Sequence, residues 1–394
     1  MGAERCRILY VQPNSEVGGS DLALLRMIEA LDRDRFEVFV VLPYDGPLVP
    51  RLWAAGAVVR FLPMLLLRTL PSVSYQLRYL VQFWPTVWRI SRLIRDQRID
   101  LVHSNASYSL YGGFAALAAR RPHVWHIREI PPNIPFARAA LGRMVLALSR
   151  MVIVMTHACA DALFGIRADH AKIRFLSEGL DLGTWSRDGI TRSIRGELGV
   201  ALETPLLGFV ARLDPWKGLD VFLEAAAIVK TRFPSAVFLV AGDAPDGFEA
   251  YRDSMIARAA ELGVANHVRF LGWRYRLEDI PALMSSLDIF CHTSVEPEPF
   301  GLVLIEAMAM NCPVIATRAG GPLEIVEDGV SGLLTRPGDP PALAEAICAL
   351  LADPARRRRI ADAGRARVEA HYSLEAFRGA IARLYSELLD DPRR

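Results

Sequence analysis

Lysine is nearly absent from this chain. Of 46 basic residues among 394, only Lys172, Lys217 and Lys230 are lysines, so the position of each is informative. Acidic residues number 44, the formal net charge is +2, and no field of one sign marks a nucleic-acid partner. The five cysteines (Cys6, Cys159, Cys291, Cys312, Cys348) are scattered, odd in number and never spaced C-x-x-C. That excludes a disulfide framework and a zinc site and fits a reducing, cytoplasmic compartment. No apolar run reaches the roughly 20 residues of a spanning helix; the greasiest, "FLPMLLLRTLP", carries Pro63 and Arg68. The start, "MGAERCRILYVQP", lacks an apolar signal core, and Cys6 stands where a myristoylation site needs Ser or Thr. No G-x-G-x-x-G opens either half, which disfavours a nicotinamide dehydrogenase. The lone D-x-D, Asp32 to Asp34, falls in a helix-to-strand turn where no metal site is expected.

What the chain has is alternation. Uniformly apolar runs ("CRILYVQP", "FEVFVVLP", "DLVHSN", "PHVWHIRE", "MVIVMTH", then "LLGFVAR", "AVFLVAG", "HVRFLG", "DIFCHTS", "PVIAT", "SGLLT") read as parallel strands covered on both faces. Amphipathic helices separate them: Leu24, Leu25, Ile28 and Leu31 keep helical spacing, as do Val221, Phe222, Ala225, Ile228 and Val229. The pattern predicts an α/β fold of two doubly wound, Rossmann-like domains. Their seam is expected near residue 190, in the polar, strand-free "DLGTWSRDGITRSIRGELGV". The domains are then 1–190 and 191–394, with the last helix free to pack back on the first. Ligands of such sheets sit at the carboxyl ends of the strands, so two sheets face to face would close a cleft.

Candidate residues follow strands, as that rule requires. In "GFVARLDPWKG", Arg212 and Lys217 flank a turn and suit a diphosphate, though solvated loop cations fit the same spacing. Gly18 and Gly19 in "VGGSD" let backbone N–H groups approach a phosphate, or simply make a turn. His126 closes the strand in "HVWHIRE", facing either core or cleft, with Arg128 and Glu129 beyond it and Asn105 ending the neighbouring strand. In "EPEPFGLVLIEA", Pro299 holds Glu298 extended at the lip of a helix that begins near Phe300, Gly301 and Leu302. Glu306 lies on the second turn of that helix among apolar neighbours, where an unpaired carboxylate would be costly. Two carboxylates flanking a helix N-terminus match a sugar, a diphosphate and a ribose in a row; an anionic helix cap is the plainer reading of Glu298.

"EPFGLVLIEA" resembles the E-x7-E signature of the retaining glycosyltransferases of family 4, Glu298 and Glu306 being its two glutamates. The likeness extends in order through "GGSD", "DLVHSN", "PHVWHIRE", "ARLDPWKG", "AGGPLEIVEDGVSGLL" and "HYSLEAFRGAIARLYSELL", nearly the whole chain. It implies a GT-B fold whose C-terminal half holds a nucleotide-sugar donor. Glu306 would accept the ribose hydroxyls, Glu298 the hydroxyls of the transferred sugar, and the backbone around Gly301 and Leu302 would meet phosphate and sugar. Arg212 and Lys217 would neutralise the leaving diphosphate, in place of a metal or any other cofactor. His126 would contact the donor sugar, Gly18 and Gly19 the donor phosphates, and Arg274, after a strand, the base. Asn105, Arg128 and Glu129 would lie on the side of the acceptor.

The implied reaction is retaining hexosyl transfer to a hydroxyl of a glycan, a lipid-linked sugar or a small molecule. A nucleotide-sugar 2-epimerase on the same fold and a non-catalytic nucleotide-sugar-binding scaffold are the rival readings. One departure stands out: in "SEGLD", Glu178 occupies a position that is Asn in many members, where it could repel a donor phosphate or serve a different acceptor. A second feature lies in residues 64–98, where Arg78, Arg89 and Arg92 share a helical face opposite Leu80, Val87 and Ile94. This face predicts either contact with an anionic membrane or a solvated side of a core helix.

Overall fold

The computed structural model describes residues 5–16, 18–66, 72–165, 168–245, 247–272 and 277–389, in two units. The first comprises residues up to Gly179 together with Leu374 onward, and the second runs from Leu180 to Ser373.

In the first unit, strands and helices alternate: β1 (Cys6–Val11), α1 (Gly19–Ala30), β2 (Phe36–Leu42), α2 (Val49–Ala54), β3 (Val58–Phe61), α3 (Val73–Asp96), β4 (Leu101–Ser104), α4 (Tyr111–Ala119), β5 (His123–Ile127), α5 (Pro135–Leu148), β6 (Met151–Val154), α6 (His157–Phe164) and β7 (Ile173–Phe175). The seven strands pair in parallel in the order β3-β2-β1-β4-β5-β6-β7. A strand order that reverses beside β1 is the doubly wound topology, and it opens a crevice beyond the carboxyl ends of β1 and β4. The inner strands β4, β5 and β6 are buried throughout and β1 from Ile8 onward, as strands covered on both faces are. The edge strands β3 and β7 escaped the sequence reading because each is half exposed: Arg60 and Phe61 in one and Phe175 in the other face outward.

The second unit carries α7 (Ile194–Leu198), β8 (Leu206–Val210), α8 (Leu219–Arg232), β9 (Val237–Ala241), α9 (Glu249–Glu261), β10 (Val268–Gly272), α10 (Ile280–Ser286), β11 (Ile289–His292), α11 (Leu302–Ala309), β12 (Val314–Thr317), α12 (Pro322–Ile325), β13 (Leu333–Thr335), α13 (Pro340–Ala352) and α14 (Pro354–His371). Its six parallel strands run β10-β9-β8-β11-β12-β13. Phe209, Phe222 and Phe238 centre the core on one face of this sheet. Ile228, counted with that core by its spacing, is 41% exposed at the rim of α8. The change of unit comes after Gly179, ahead of the expected position near 190. Residues 180–187 are tied into the second unit by Leu180 N–H on Tyr372 O at 2.8 Å and Arg187 Nε on Met310 O at 2.8 Å.

The last helix, α15 (Leu374–Leu389), belongs to the first unit. Phe377, Ile381, Tyr385 and Leu388, spaced three and four apart, are buried with Ile8, Tyr10, Ile28 and Phe36. Tyr385 Oη lies 2.7 Å from both Tyr10 Oη and His103 Nδ1, so a buried polar cluster is closed by the end of the chain.

Candidate functional site

In the second unit, the chemistry gathers where β8 and β11 end. After β8 the chain makes a short 3-10 turn, Pro215–Lys217, and Gly218 follows at φ +69°. A Cβ on Gly218 would stand 2.1 Å from Thr293 O, so only glycine lets the two loops touch. Thr293 Oγ1 donates across that contact to Lys217 O at 3.0 Å and Gly218 O at 2.9 Å, and Val295 N–H donates to Trp216 O at 2.9 Å. Lys217 is thereby fixed at the mouth of the sheet, its ammonium 3.9 Å above the Trp216 ring and 2.7 Å from Glu298 Oε2.

Glu298 is clamped from the other side. Its carbonyl accepts from Gly321 N–H at 2.7 Å, and its backbone bridges Gly320. A Cβ on Gly320 would meet Glu298 O at 2.2 Å, and one on Gly321 would meet Phe300 O at 2.0 Å. The Gly-Gly of "AGGP" is therefore the seat of the Glu298 loop. Ser294 Oγ donates to Glu298 Oε2 at 3.1 Å, and His292 Nε2 lies 3.3 Å from the same oxygen. Burial alone would raise the Glu298 carboxyl; the His292 contact and the Lys217 ammonium outweigh it and hold the pKa at about 2. Lys217, His292 and Ser294 converge on one carboxylate oxygen.

The remaining expectations for this unit divide. Glu298 is not the cap of α11: the cap is Gly301 at φ +105°, and Glu298 turns instead to Lys217. The α11 N-terminus carries Leu302, half buried, and Glu306 is half buried one turn on. Phe300 is 4% exposed and meets Tyr372 edge to face at 5.9 Å, and Gly301 beside it is buried too. Arg212 is exposed and bound to Asp214 at 2.6 Å. Arg274 lies outside the described residues. Among those residues, no three His, Cys, Asp or Glu side chains gather as a metal site.

In the first unit the strand ends carry a chain of buried side chains. Asp21 Oδ2 accepts from Gly18 N–H at 2.9 Å, and its Oδ1 accepts from Gln12 Nε2 at 2.6 Å. Gln12 Oε1 accepts from Asn105 at 2.7 Å, Asn105 Oδ1 accepts from Arg128 Nε at 2.6 Å, and Arg128 Nη1 donates to Glu178. The relay crosses the ends of β1, β4 and β5 and reaches the loop after β7. Arg128 and Glu178 are only 3% and 5% exposed in their side chains, which makes them a buried ion pair. The carboxylate at the usual Asn position therefore has its own cation. Glu129 turns the other way and accepts from the hydroxyl and the N–H of Ser107 and from Arg128 N–H at 3.1 Å; burial raises its pKa.

His126 faces inward and is 1% exposed. Neither ring nitrogen has a partner, and Arg128 Nη2 and Glu178 Oε2 are also buried and unmatched. Burial, then the Arg128 cation, then His103 at 5.6 Å push the His126 pKa well down, so the ring is neutral. Buried polar atoms without partners are rare in proteins, and here four of them cluster at the carboxyl end of β5. Gly18 and Gly19 are exposed at the start of α1, and a Cβ on Gly19 would meet nothing within 4 Å. The sequence reading passed over Gln12, Asp21, His292 and Ser294. The available signal was the one that picked Asn105: an apolar strand whose next residues turn polar.

Comparison with known proteins adds to this geometry. The family described as Glycosyl transferases group 1 matches residues 191–367, and Glycosyltransferase Family 4 matches residues 17–184. A D-inositol 3-phosphate glycosyltransferase of Corynebacterium urealyticum is 33% identical over 312 residues, covering 73% of this chain and 72% of that one. A GDP-mannose-dependent alpha-(1-6)-phosphatidylinositol monomannoside mannosyltransferase of Mycolicibacterium smegmatis is 32% identical over 326 residues, covering 78% and 81%. Among solved structures, Anabaena HepE in complex with UDP-glucose superposes with a TM-score of 0.81 at 29% identity, over 97% of this chain and 99% of that one.

Proposed function

The chain belongs to the group 1 glycosyltransferases of family 4, and from that premise we propose that it is a retaining, metal-independent hexosyltransferase using a nucleoside-diphosphate sugar. The observation that carries this reading is the Lys217 and Glu298 pair, a cation and a carboxylate 2.7 Å apart on two loops locked by glycine contacts. On donor binding, Lys217 and Arg212 take the diphosphate oxygens, Glu298 accepts sugar hydroxyls through its oxygens, and Glu306 accepts the ribose. The α11 N-terminus adds backbone N–H groups and the positive end of the helix dipole.

In the transfer, the bond from the anomeric carbon to the diphosphate oxygen breaks while the acceptor oxygen forms its bond on the same face. The acceptor proton passes to the departing diphosphate, whose growing charge the two cations stabilise. In the first unit the exposed Gly18–Gly19 turn offers backbone to a phosphate, whereas His126, at 1% exposure, is enclosed and offers no hydrogen bond to a sugar. The acceptor is a hydroxyl of a glycan, a lipid-linked sugar or a small molecule, with Asn105, Arg128 and Glu129 shaping its side. UDP and GDP sugars are the first donors to try, because similar proteins bind UDP-glucose or depend on GDP-mannose. The five scattered cysteines, none spaced C-x-x-C, suit a reducing, cytoplasmic location.

The test is a thermal-shift and turnover screen against UDP-, GDP- and ADP-sugars with EDTA present. A shift with one nucleotide and slow release of its diphosphate supports the proposal. Conversion of the donor to its 2-epimer without diphosphate release would make the chain an epimerase, and binding without either reaction would make it a scaffold. Activity abolished by EDTA and restored by a divalent cation would refute metal independence.

A further inference from the structure

Helix α3 has two apolar faces, and only one of them is used. Tyr79, Phe83, Val87, Ile90 and Ile94 pack into the first unit beside Leu9, Val41 and Tyr111. The outward face carries Val73 at 83% exposure, Leu77 at 62%, Leu80 at 63%, Val81 at 69%, Trp84 at 60% and Trp88 at 57%. Spaced mostly three and four apart, these six form one stripe along the helix. This corrects the sequence reading, which grouped Leu80 with Val87 and Ile94: the latter two are core, and Leu80 is outside it.

Charge runs along one edge of the stripe. Arg78, Arg89 and Arg92 are exposed, at about 80° to 140° around the helix from Trp84. No Asp or Glu occurs from Val73 to Arg95. Asp96 ends the helix, 3.4 Å from Arg92, whose guanidinium also lies 5.8 Å from the Trp88 ring. Exposed tryptophans beside arginines of which only Arg92 has an acidic neighbour match a lipid interface, where indole sits at headgroup depth and guanidinium meets phosphate. The stripe is about 22 Å long at about 1.5 Å per residue and about 10 Å wide. That is roughly 220 Å², well below the roughly 800 Å² each partner gives to a stable protein interface, and no described helix is long and apolar enough to cross a membrane.

We infer that the outward face of α3 seats this protein on the surface of an anionic bilayer, with Trp84 and Trp88 inserted and Arg78, Arg89 and Arg92 on lipid phosphates. The inference goes beyond the proposed reaction and is readable without turnover. Flotation of the full chain with vesicles of phosphatidylcholine, alone or mixed equally with phosphatidylglycerol, tests it. The wild type is expected to float only with the anionic vesicles and to be released as salt is raised. W84S/W88S is expected to lose at least tenfold in partition, and R78Q/R89Q/R92Q to lose the preference for phosphatidylglycerol. The arginine variant, which leaves the buried face of α3 unchanged, keeps the test decisive should the tryptophan variant misfold. Failure of the wild type to float, equal flotation with phosphatidylcholine alone, or unchanged flotation of folded W84S/W88S would overturn the inference. So would a dimer in sedimentation that W84S/W88S dissolves while vesicles bind neither protein.

Discussion

At the scale of single residues, Lys217 and Glu298 can be separated by function and by pH. Lys217→Ala is expected to cut transfer about a hundredfold to a thousandfold, the range for losing one donor to a developing anion, with the far-ultraviolet circular dichroism unchanged. Glu298 has its pKa held at about 2, below its ordinary value. A depressed folded value contributes stability that is complete above the unfolded pKa and disappears as pH falls through the folded one. Lys217→Met removes a partner that holds the carboxyl down, so in melting curves between about pH 2 and 5 the pH-dependent part of its stability should be smaller than the wild type's and be fully lost at a higher pH. Arg128 and Glu178 form a second pair to separate. Arg128→Met alone should cost about 3–5 kcal/mol by leaving a buried carboxylate, and Arg128→Met with Glu178→Met should cost much less than the sum of the two. Urea unfolding of the four proteins measures this; additive losses would show that the pair is not coupled.

Elements decide which glycines matter. Gly320 and Gly19 belong to motifs of similar appearance, yet their surroundings differ. Gly320 lies at φ +70° against Glu298 O, so Gly320→Ala should cost about 1–3 kcal/mol and displace the Glu298 loop. Gly19 has open space where a Cβ would go. Gly19→Ala should leave the melting temperature intact and raise the donor KM about tenfold, equivalent to about 1.4 kcal/mol, if donor phosphate approaches that turn; an unchanged KM would remove Gly19 from the donor site. The same contrast explains which strands could be read. Buried strands such as β1 and β8 announce themselves by continuous apolar runs, whereas β3 and β7 have one partner strand each and mix Arg60 or Arg174 into the pattern.

For the molecule as a whole, the last sixteen helical residues complete the first unit. Tyr385→Phe removes the hydroxyl shared with Tyr10 and His103 and should cost about 0.5–1.5 kcal/mol, or more because His103 Nδ1 is left buried without its partner. The urea midpoint checks it, and an unchanged midpoint would mean that the hydroxyl cluster is energetically idle. The position of α15 also bears on how the chain folds: residues 374–389 must be in place before the core around Ile8, Tyr10 and Phe36 is closed.

The sequence alone determined the two wound sheets, because backbone pairing and burial force apolar alternation into it. It also determined the order of the motif residues, since ligand sites must follow strands. Tertiary structure alone decided what those residues touch: that Glu298 turns to Lys217 and does not cap α11, that Glu178 has a buried cation, that His126 is sealed inward, and that α3 shows a second apolar face. The reason is physical. Periodicity fixes the direction of a side chain relative to its own element, whereas partnership and exposure depend on atoms tens or hundreds of residues away in the chain.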